Sequence, residues 1–190
     1  MSTTIETMFL ESGAILKGHF KLSSGKHSGT YFEKFRILER PQYLGPCCEQ
    51  LAERFAESQV ELVAGPTVGG VLIAYEVARH LKTNAIYIER EGEKRALRRG
   101  ASFPKGTRVL VVDDVLTTGL SVQEMIDCLR ALEAEVVGVG LLVDRSGKPI
   151  DFGVRTEALW TTPAESYEPD KCPLCASGIP LTSPGSRHTP

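Results

Sequence analysis

The sequence predicts an α/β domain built on a mainly parallel, doubly wound sheet with helices on both faces. Short continuous apolar runs, of the kind that suits strands covered on both sides, recur at Leu62-Val63-Ala64, Val109-Leu110-Val111-Val112 and Val136 to Val143. Segments with the i, i+3, i+4 apolar spacing of amphipathic helices lie between them, so strand and helix alternate at βαβ spacing. The chain has 190 residues and is 42% hydrophobic, enough for one full core.

Element by element, Ile5, Met8, Phe9 and Ile15 space the segment from Thr3 to Leu16 as a helix, with Gly13 and Gly18 bracketing its exit. After Pro41, the residues Leu44, Cys47, Cys48, Leu51, Ala52, Phe55 and Ala56 mark a helix with one buried face. The strand at Leu62 runs into Gly65-Pro66-Thr67-Val68-Gly69-Gly70, a helix from Val71 to Leu81 and a strand from Ala85 to Ile88. Glu89 to Gly100 is charged, without apolar period, and reads as a surface loop. The strand Arg108 to Val112 leads to a helix from Gly119 to Ala134, with Val122, Met125, Ile126, Leu129 and Leu132 on one side. Ser183 to Pro190 lacks apolar anchors and reads as a frayed tail. Ligands of such sheets sit beyond the carboxyl ends of the strands, so the loops after Ala64, Val112 and Val143 are the places to look.

Composition narrows the function. With 22 basic against 24 acidic residues, the net charge is −2, which argues against a surface for nucleic acid or an anionic membrane. Any phosphate must be gripped locally. Met1 to Leu16 carries Glu6 and Glu11 and does not read as a secretory signal, and the longest apolar stretch is too short to cross a bilayer. Five cysteines, an odd set, do not suggest a disulfide framework, and Cys47, Cys48 and Cys128 lie on helical core faces. A cytoplasmic protein is expected.

The most informative stretch is Val109-Leu110-Val111-Val112-Asp113-Asp114-Val115-Leu116-Thr117-Thr118-Gly119-Leu120-Ser121. A buried strand ends in two carboxylates, then a hydroxyl-and-glycine turn opens a helix. Thr117, Thr118 and Ser121 offer hydroxyls, Gly119 admits close backbone approach, and the helix start points unpaired N–H groups at an anion. That is a monophosphate cradle without a lysine. Asp113 and Asp114 would repel a phosphate, so they are better matched to the hydroxyls of an attached sugar, to a hydrated Mg²⁺ or to positive charge on the sugar. A strand followed by an Asp- or Thr-capped helix is the bland alternative for the carboxylate pair taken alone.

The full string resembles the phosphoribosyl-diphosphate signature of the type I phosphoribosyltransferases. Gly18-His19-Phe20-Lys21-Leu22-Ser23-Ser24-Gly25-Lys26-His27-Ser28 is similar to the substrate loop of the orotate phosphoribosyltransferases, residues 65–70 to their pyrophosphate loop, and Val143-Asp144-Arg145 to the strand end that supplies an arginine. Cys172-Pro173-Leu174-Cys175 and Gly178-Ile179-Pro180-Leu181 resemble one prokaryotic branch. The resemblance spans Thr4 to Leu181 and implies an N-terminal hood with the substrate loop over residues 1–40, a core over 41–165 and a C-terminal extension over 166–190.

It further implies an enzyme that transfers the phosphoribosyl group of 5-phosphoribosyl 1-diphosphate to orotate, with Mg²⁺, in pyrimidine biosynthesis. Asp113 and Asp114 would meet the ribose hydroxyls, Val115, Leu116 and Thr117 to Ser121 (with Thr118, Gly119 and Leu120) the phosphoribosyl group, and Lys26 the diphosphate. Thr117 would touch the base and Arg145 its carboxylate, which a planar guanidinium suits. The stretch 90–100 corresponds to a catalytic loop acting in the neighbouring subunit of a homodimer, with Arg90 and Lys94 as its first candidate cations and Arg95, Arg98 and Arg99 as alternatives. Two departures stand out: the loop has no histidine before Gly92, and Val68 stands where many relatives have lysine. No protein-built metal site is expected, with Mg²⁺ held mainly by substrate; Cys172 and Cys175 are half a zinc site at most, to be completed by His188 or another chain.

Other readings fit less well. Gly138-Val139-Gly140 lacks the third glycine of a dinucleotide fingerprint, and no Walker-type Gly-Lys-Ser/Thr occurs. His19 and His27 either bind diphosphate or shape the turn, Tyr31 and Phe32 either stack on the base or pack in a strand, and His80 closes a helix. A phosphoribosyltransferase for another base would not need Arg145, and an RNA-binding regulator would need a basic face.

Overall fold

In the computed structural model, which describes residues 4–22, 24–92, 94–163 and 165–184, the apolar runs form the centre of a six-stranded sheet. Its strands are β3 (Leu62–Pro66), β4 (Asn84–Glu91), β5 (Lys94–Leu97), β6 (Arg108–Leu116), β7 (Glu135–Asp144) and β8 (Thr156–Thr161), in the order β5-β4-β3-β6-β7-β8. All neighbours are parallel except β5, which turns back antiparallel on β4 at the edge. A separate antiparallel hairpin, β1 (Ile15–Lys21) and β2 (His27–Phe32), forms the hood.

Because neighbouring side chains of a strand point to opposite faces, β6 feeds two cores at once. Leu110 and Val112 join a cluster with Phe9 of α1 (Ile5–Glu11), Leu51 of α3 (Pro41–Arg54) and Ile73 and Val77 of α4 (Gly69–Leu81). Val109 and Val111 join Met125, Ile126 and Leu129 of α5 (Leu120–Ala131) on the other face. Both cores are therefore set by alternation along one strand. A short helix α2 (Phe35–Leu38) links the hood to α3, and α6 (Pro173–Ala176) lies in the C-terminal segment.

The hood is fastened through aromatic packing. Phe32 of β2 sits 6.0 Å from Phe9 and 5.6 Å from Trp160 of β8, ring centre to ring centre. Arg40 donates to the Ser12 carbonyl at 2.6 Å, and the Glu33 N–H to that of Ala14 at 2.8 Å. The chain from Tyr167 to Thr182 flanks the hairpin on both sides: His27 and Tyr167 exchange backbone hydrogen bonds at 2.9 and 2.8 Å, while Thr182 bridges His19 and Lys21 at 2.8 Å each.

Four expectations change. The first helix stops at Glu11, since Gly13 at φ 71° turns the chain and Ile15 begins a strand. The supposed substrate loop is mostly hairpin, narrowed to the turn between Leu22 and Lys26. The charged stretch 89–100 contains a hairpin arm instead of a loop, because cross-strand ion pairs replace apolar periodicity: Arg99 binds Glu89 at 2.8 Å and Arg98 binds Glu91. The strand carrying the carboxylates runs on through Leu116. Cys47 and Cys48 are packed thiols as expected, whereas Cys128 is only partly covered, and Gly138-Val139-Gly140 lies inside β7. Residues 185–190, including His188, lie outside the described residues, so the expected tail does too.

Phe55, fully buried where α3 ends over β7, tests this packing. Phe55→Ala should cost about 3–5 kcal/mol in urea denaturation, with turnover of the folded fraction retained.

Candidate active site

β6 brings Asp113 and Asp114 out of the sheet centre onto opposite faces, and both remain buried, 7% and 5% exposed. Backbone donors partly satisfy them: the Asp114 N–H donates to Asp113 Oδ1 at 2.8 Å and the Val115 N–H to Asp114 Oδ1 at 2.7 Å. Lys34, just beyond β2, closes on the remaining Asp114 oxygen, Oδ2, at 2.7 Å. Burial and then the charge of Asp114 push the Asp113 carboxyl up to about 7, against the opposing pull of the Asp114 N–H, Lys34 and the Ser121 hydroxyl. For Lys34, burial disfavours the charge, but the Asp114 carboxylate outweighs it and holds the ammonium above its ordinary range.

The loop after β3 reaches the same place. A Cβ on Gly69 would collide with Asp114 Oδ2 and stand 2.9 Å from Leu38, so only glycine lets the start of α4 lie against the carboxylate. Beyond β6, Thr117 and Thr118 are exposed in a bend, and Gly119 at φ 82° opens α5 in a conformation that costs glycine nothing. The first N–H groups of a twelve-residue helix therefore face the space above the carboxylates.

The β4–β5 hairpin leans on this helix. Arg90 and Arg95 converge on Glu124 at 2.6 and 3.2 Å, and Arg95 also donates to the Ser121 hydroxyl at 2.9 Å. Arg98 and Arg99 are paired within the hairpin. Among the described residues, Lys94 at its tip is the one basic side chain of 90–99 without a carboxylate partner.

On the other side of β6, the Arg145 N–H donates to the Leu116 carbonyl at 2.8 Å, which puts Arg145 beside the entrance to the Thr117 bend. Its guanidinium lies 4.0 Å from the Phe32 ring centre, and its Nε is buried with no hydrogen-bond partner. Desolvation lowers its pKa from the ordinary arginine value. A buried donor of this kind, without a protein carboxylate, is poised for an anion from outside.

A family model, "Phosphoribosyl transferase domain", matches residues 45–152. The chain is 52% identical over 181 residues to the orotate phosphoribosyltransferase of Desulforamulus reducens, covering 95% of each chain. It is 46% identical to that of Thermotoga maritima, covering 96% of this chain and 98% of that one. The chain belongs to the orotate phosphoribosyltransferase family. The crystal structure of the orotate phosphoribosyltransferase from Aeropyrum pernix superposes with a TM-score of 0.72 at 30% identity, over 83% of this chain and 93% of that one. An adenine phosphoribosyltransferase from Thermoanaerobacter pseudethanolicus shares the fold, with a TM-score of 0.60 at 19% identity over 70% of this chain and 88% of that one.

Within this phosphoribosyltransferase fold the sequence-derived residues fall into three groups, of which Arg90 and Lys94 on the β4–β5 hairpin are one. Asp113, Asp114, the bend from Thr117 to Ser121 and Arg145 surround the carboxyl ends of β6 and β7. Lys26 sits on the hood hairpin turn, paired with Glu168 at 2.8 Å. Sequence reasoning missed Lys34, which lies in the run Glu33-Lys34-Phe35-Arg36 and carries no local signal of its pairing with Asp114. It also missed that the Cys172–Cys175 pair has company: a second pair of ligand residues, thought absent, is present as His19 and His27. Phe32 packs against Arg145 and the aromatic cluster, and His80 closes α4 beside Glu76 at 3.4 Å.

The Asp113 shift has a signed consequence. Folded Asp113 holds its proton more tightly than the unfolded carboxyl does, so this stability is fully present below the ordinary value of 3.8 and is lost as pH rises through about 7. Asp113→Asn should therefore melt above the parent at pH 8, by at least about 3 °C, with the gap closing toward pH 4, while turnover falls. Parallel melting curves across that range check it.

Proposed function

We propose that this protein transfers the phosphoribosyl group of 5-phosphoribosyl 1-diphosphate to N1 of orotate, releasing diphosphate and giving orotidine 5′-monophosphate with inversion at C1. Relatives are named orotate phosphoribosyltransferase, and the observation that favours a carboxylated base is Arg145, a half-buried side chain whose Nε is buried without a partner beside the phosphate cradle. Such chemistry asks the protein mainly for positioning and charge stabilisation.

In this reading the bend from Thr117 to Ser121 and the α5 N-terminus hold the 5-phosphate, with the backbone of Val115 and Leu116 leading into it. Asp113 and Asp114 orient the ribose hydroxyls and face the positive charge that builds at C1, while Lys34 holds the Asp114 carboxylate in place. Arg145 grips the orotate carboxylate, with Phe32 stiffening the guanidinium, and Thr117 borders the base. Lys26 exchanges Glu168 for diphosphate. Lys94 supplies the loop cation, and Arg90 with Arg95 anchors the hairpin on α5.

The carboxylates fit Mg²⁺ as hard oxygen donors, but Lys34 occupies one oxygen of Asp114, so the ion would be shared among substrate, water and the free carboxylate oxygens instead of a protein cage. Bound there, it would neutralise charge on the departing diphosphate. A homodimer is part of this reading, supported by Val68, Leu72 and Tyr75, which are exposed at the start of α4 near the site. No helix of the described residues is long and apolar enough to cross a membrane, and the five unpaired thiols suit the cytoplasm.

Diphosphate release, assayed with Mg²⁺ and 5-phosphoribosyl 1-diphosphate across orotate, uracil and the purine bases, should occur with orotate; turnover with uracil or a purine but none with orotate overturns the assignment. Arg145→Lys should lower kcat/KM for orotate about 30–100-fold with little change in KM for the diphosphate substrate.

If Lys94 acts across a dimer, Lys94→Ala and Asp114→Asn proteins, each nearly inactive, should regain up to about a quarter of parent activity when mixed and allowed to exchange subunits. No recovery despite confirmed exchange would place Lys94 in its own subunit's site.

A further inference from the structure

The hood and the C-terminal segment meet at four side chains that the reaction does not use. His19, His27, Cys172 and Cys175 present one ligand atom each, all within 4.8 Å of one another. His19 Nε2 lies 3.0 Å from His27 Nδ1, 3.5 Å from Cys172 Sγ and 3.7 Å from Cys175 Sγ, and Cys175 Sγ lies 3.3 Å from His27 Nδ1. In a tetrahedral site with two imidazoles at about 2.0–2.1 Å and two thiolates at about 2.3 Å, neighbouring ligand atoms stand roughly 3.3–3.8 Å apart. Four of the six separations match the edges of such a tetrahedron to within a few tenths of an ångström, contracted most at the His–His edge, and the other two stay within 4.8 Å.

Orientation agrees with spacing. His19 Nδ1 faces the Ile179 carbonyl at 2.7 Å, and a carbonyl only accepts, so Nδ1 carries the proton and the Nε2 lone pair points into the cluster. That is the outer hydrogen bond that metal-bound histidines use to fix ring and tautomer. The backbone also supports the arrangement. Between Lys17 and Phe20 the pairing with β2 slips by one residue, and this bulge turns His19 inward next to the equally buried Phe20. His19, His27 and Cys172 are buried, and Cys175 closes the rim.

The energetics point the same way. From 165 to 184, Cys172 is the one buried residue among those described, so this segment has almost no apolar core of its own to hold it on the hood.

We propose that His19, His27, Cys172 and Cys175 bind one Zn²⁺ that staples the C-terminal segment to the hood hairpin. Soft thiolates with imidazoles select zinc over the hard cation that a diphosphate substrate takes. With four protein ligands the coordination shell is full, which makes the ion structural. Binding converts two thiols to thiolates and releases their two protons, so affinity falls as pH is lowered. The inference is independent of which base is phosphoribosylated.

The full chain, produced without a polyhistidine tag and dialysed against Zn²⁺ and then buffer, should retain about one equivalent of zinc by elemental analysis. Replacement by Co²⁺ should give thiolate charge-transfer absorption and the visible bands of a tetrahedral ion, both lost in Cys172→Ser/Cys175→Ser. Stripping zinc from the parent protein with a chelator should lower the melting midpoint by at least about 5 °C and speed amide exchange over 166–182, and returning Zn²⁺ should reverse both. The parent measurements stand even if the double variant fails to fold. Retention below about a tenth of an equivalent, absence of the thiolate–cobalt band, or isolation of a Cys172–Cys175 disulfide that persists in reductant would each overturn the proposal.

Discussion

Two carboxylates on consecutive residues of a central strand, both out of water, are the constraint around which the site is arranged. Burial and the neighbouring Asp114 charge push the Asp113 carboxyl up, so the pair needs compensating donors. Lys34, the backbone N–H groups of Asp114 and Val115, and the open end of α5 supply the counterbalance. The same constraint reaches into the fold: Lys34 must arrive from the hood, so the hairpin has to be fastened to the core by Phe9, Phe32 and Trp160 before Asp114 is properly held. It also fixes a glycine at the start of α4, because any side chain there would displace the carboxylate.

Charge follows a related logic. Four of the five basic residues of 90–99 are neutralised by carboxylates of their own chain instead of standing free for a substrate. The hairpin is thereby rigid at its base and open in charge at Lys94. Arg145 shows the opposite arrangement: a half-buried cation against an aromatic ring, its Nε without a partner among the described residues.

What the sequence disclosed divides along separation in the chain. The parallel sheet was legible because β6, α5 and β7 each carry their full hydrophobic period within about a dozen residues, and the cradle because Asp113 to Ser121 is one continuous string. Lys34 and Asp114 are 80 residues apart, and His19 and Cys172 are 153 apart; no local period joins either pair. The edge strand β5 escaped for another reason: it is four residues long, two of them basic, and the ion pairs of Arg98 and Arg99 that tie the chain to β4 lie just beyond it, so it carries too little apolar signal. The bulge in β1 is invisible too, since a one-residue slip leaves composition unchanged.

The C-terminal chain that runs along the hood does something besides attach itself. A two-stranded sheet has two open margins, each a row of unmatched N–H and C=O groups ready to recruit a strand from another molecule. Here Tyr167 occupies the β2 margin and Thr182 the β1 margin, so the hairpin is hemmed on both sides by its own chain. Each contact is a single bridge near the hairpin turn, and at that end the extension stands where a strand from another molecule would add.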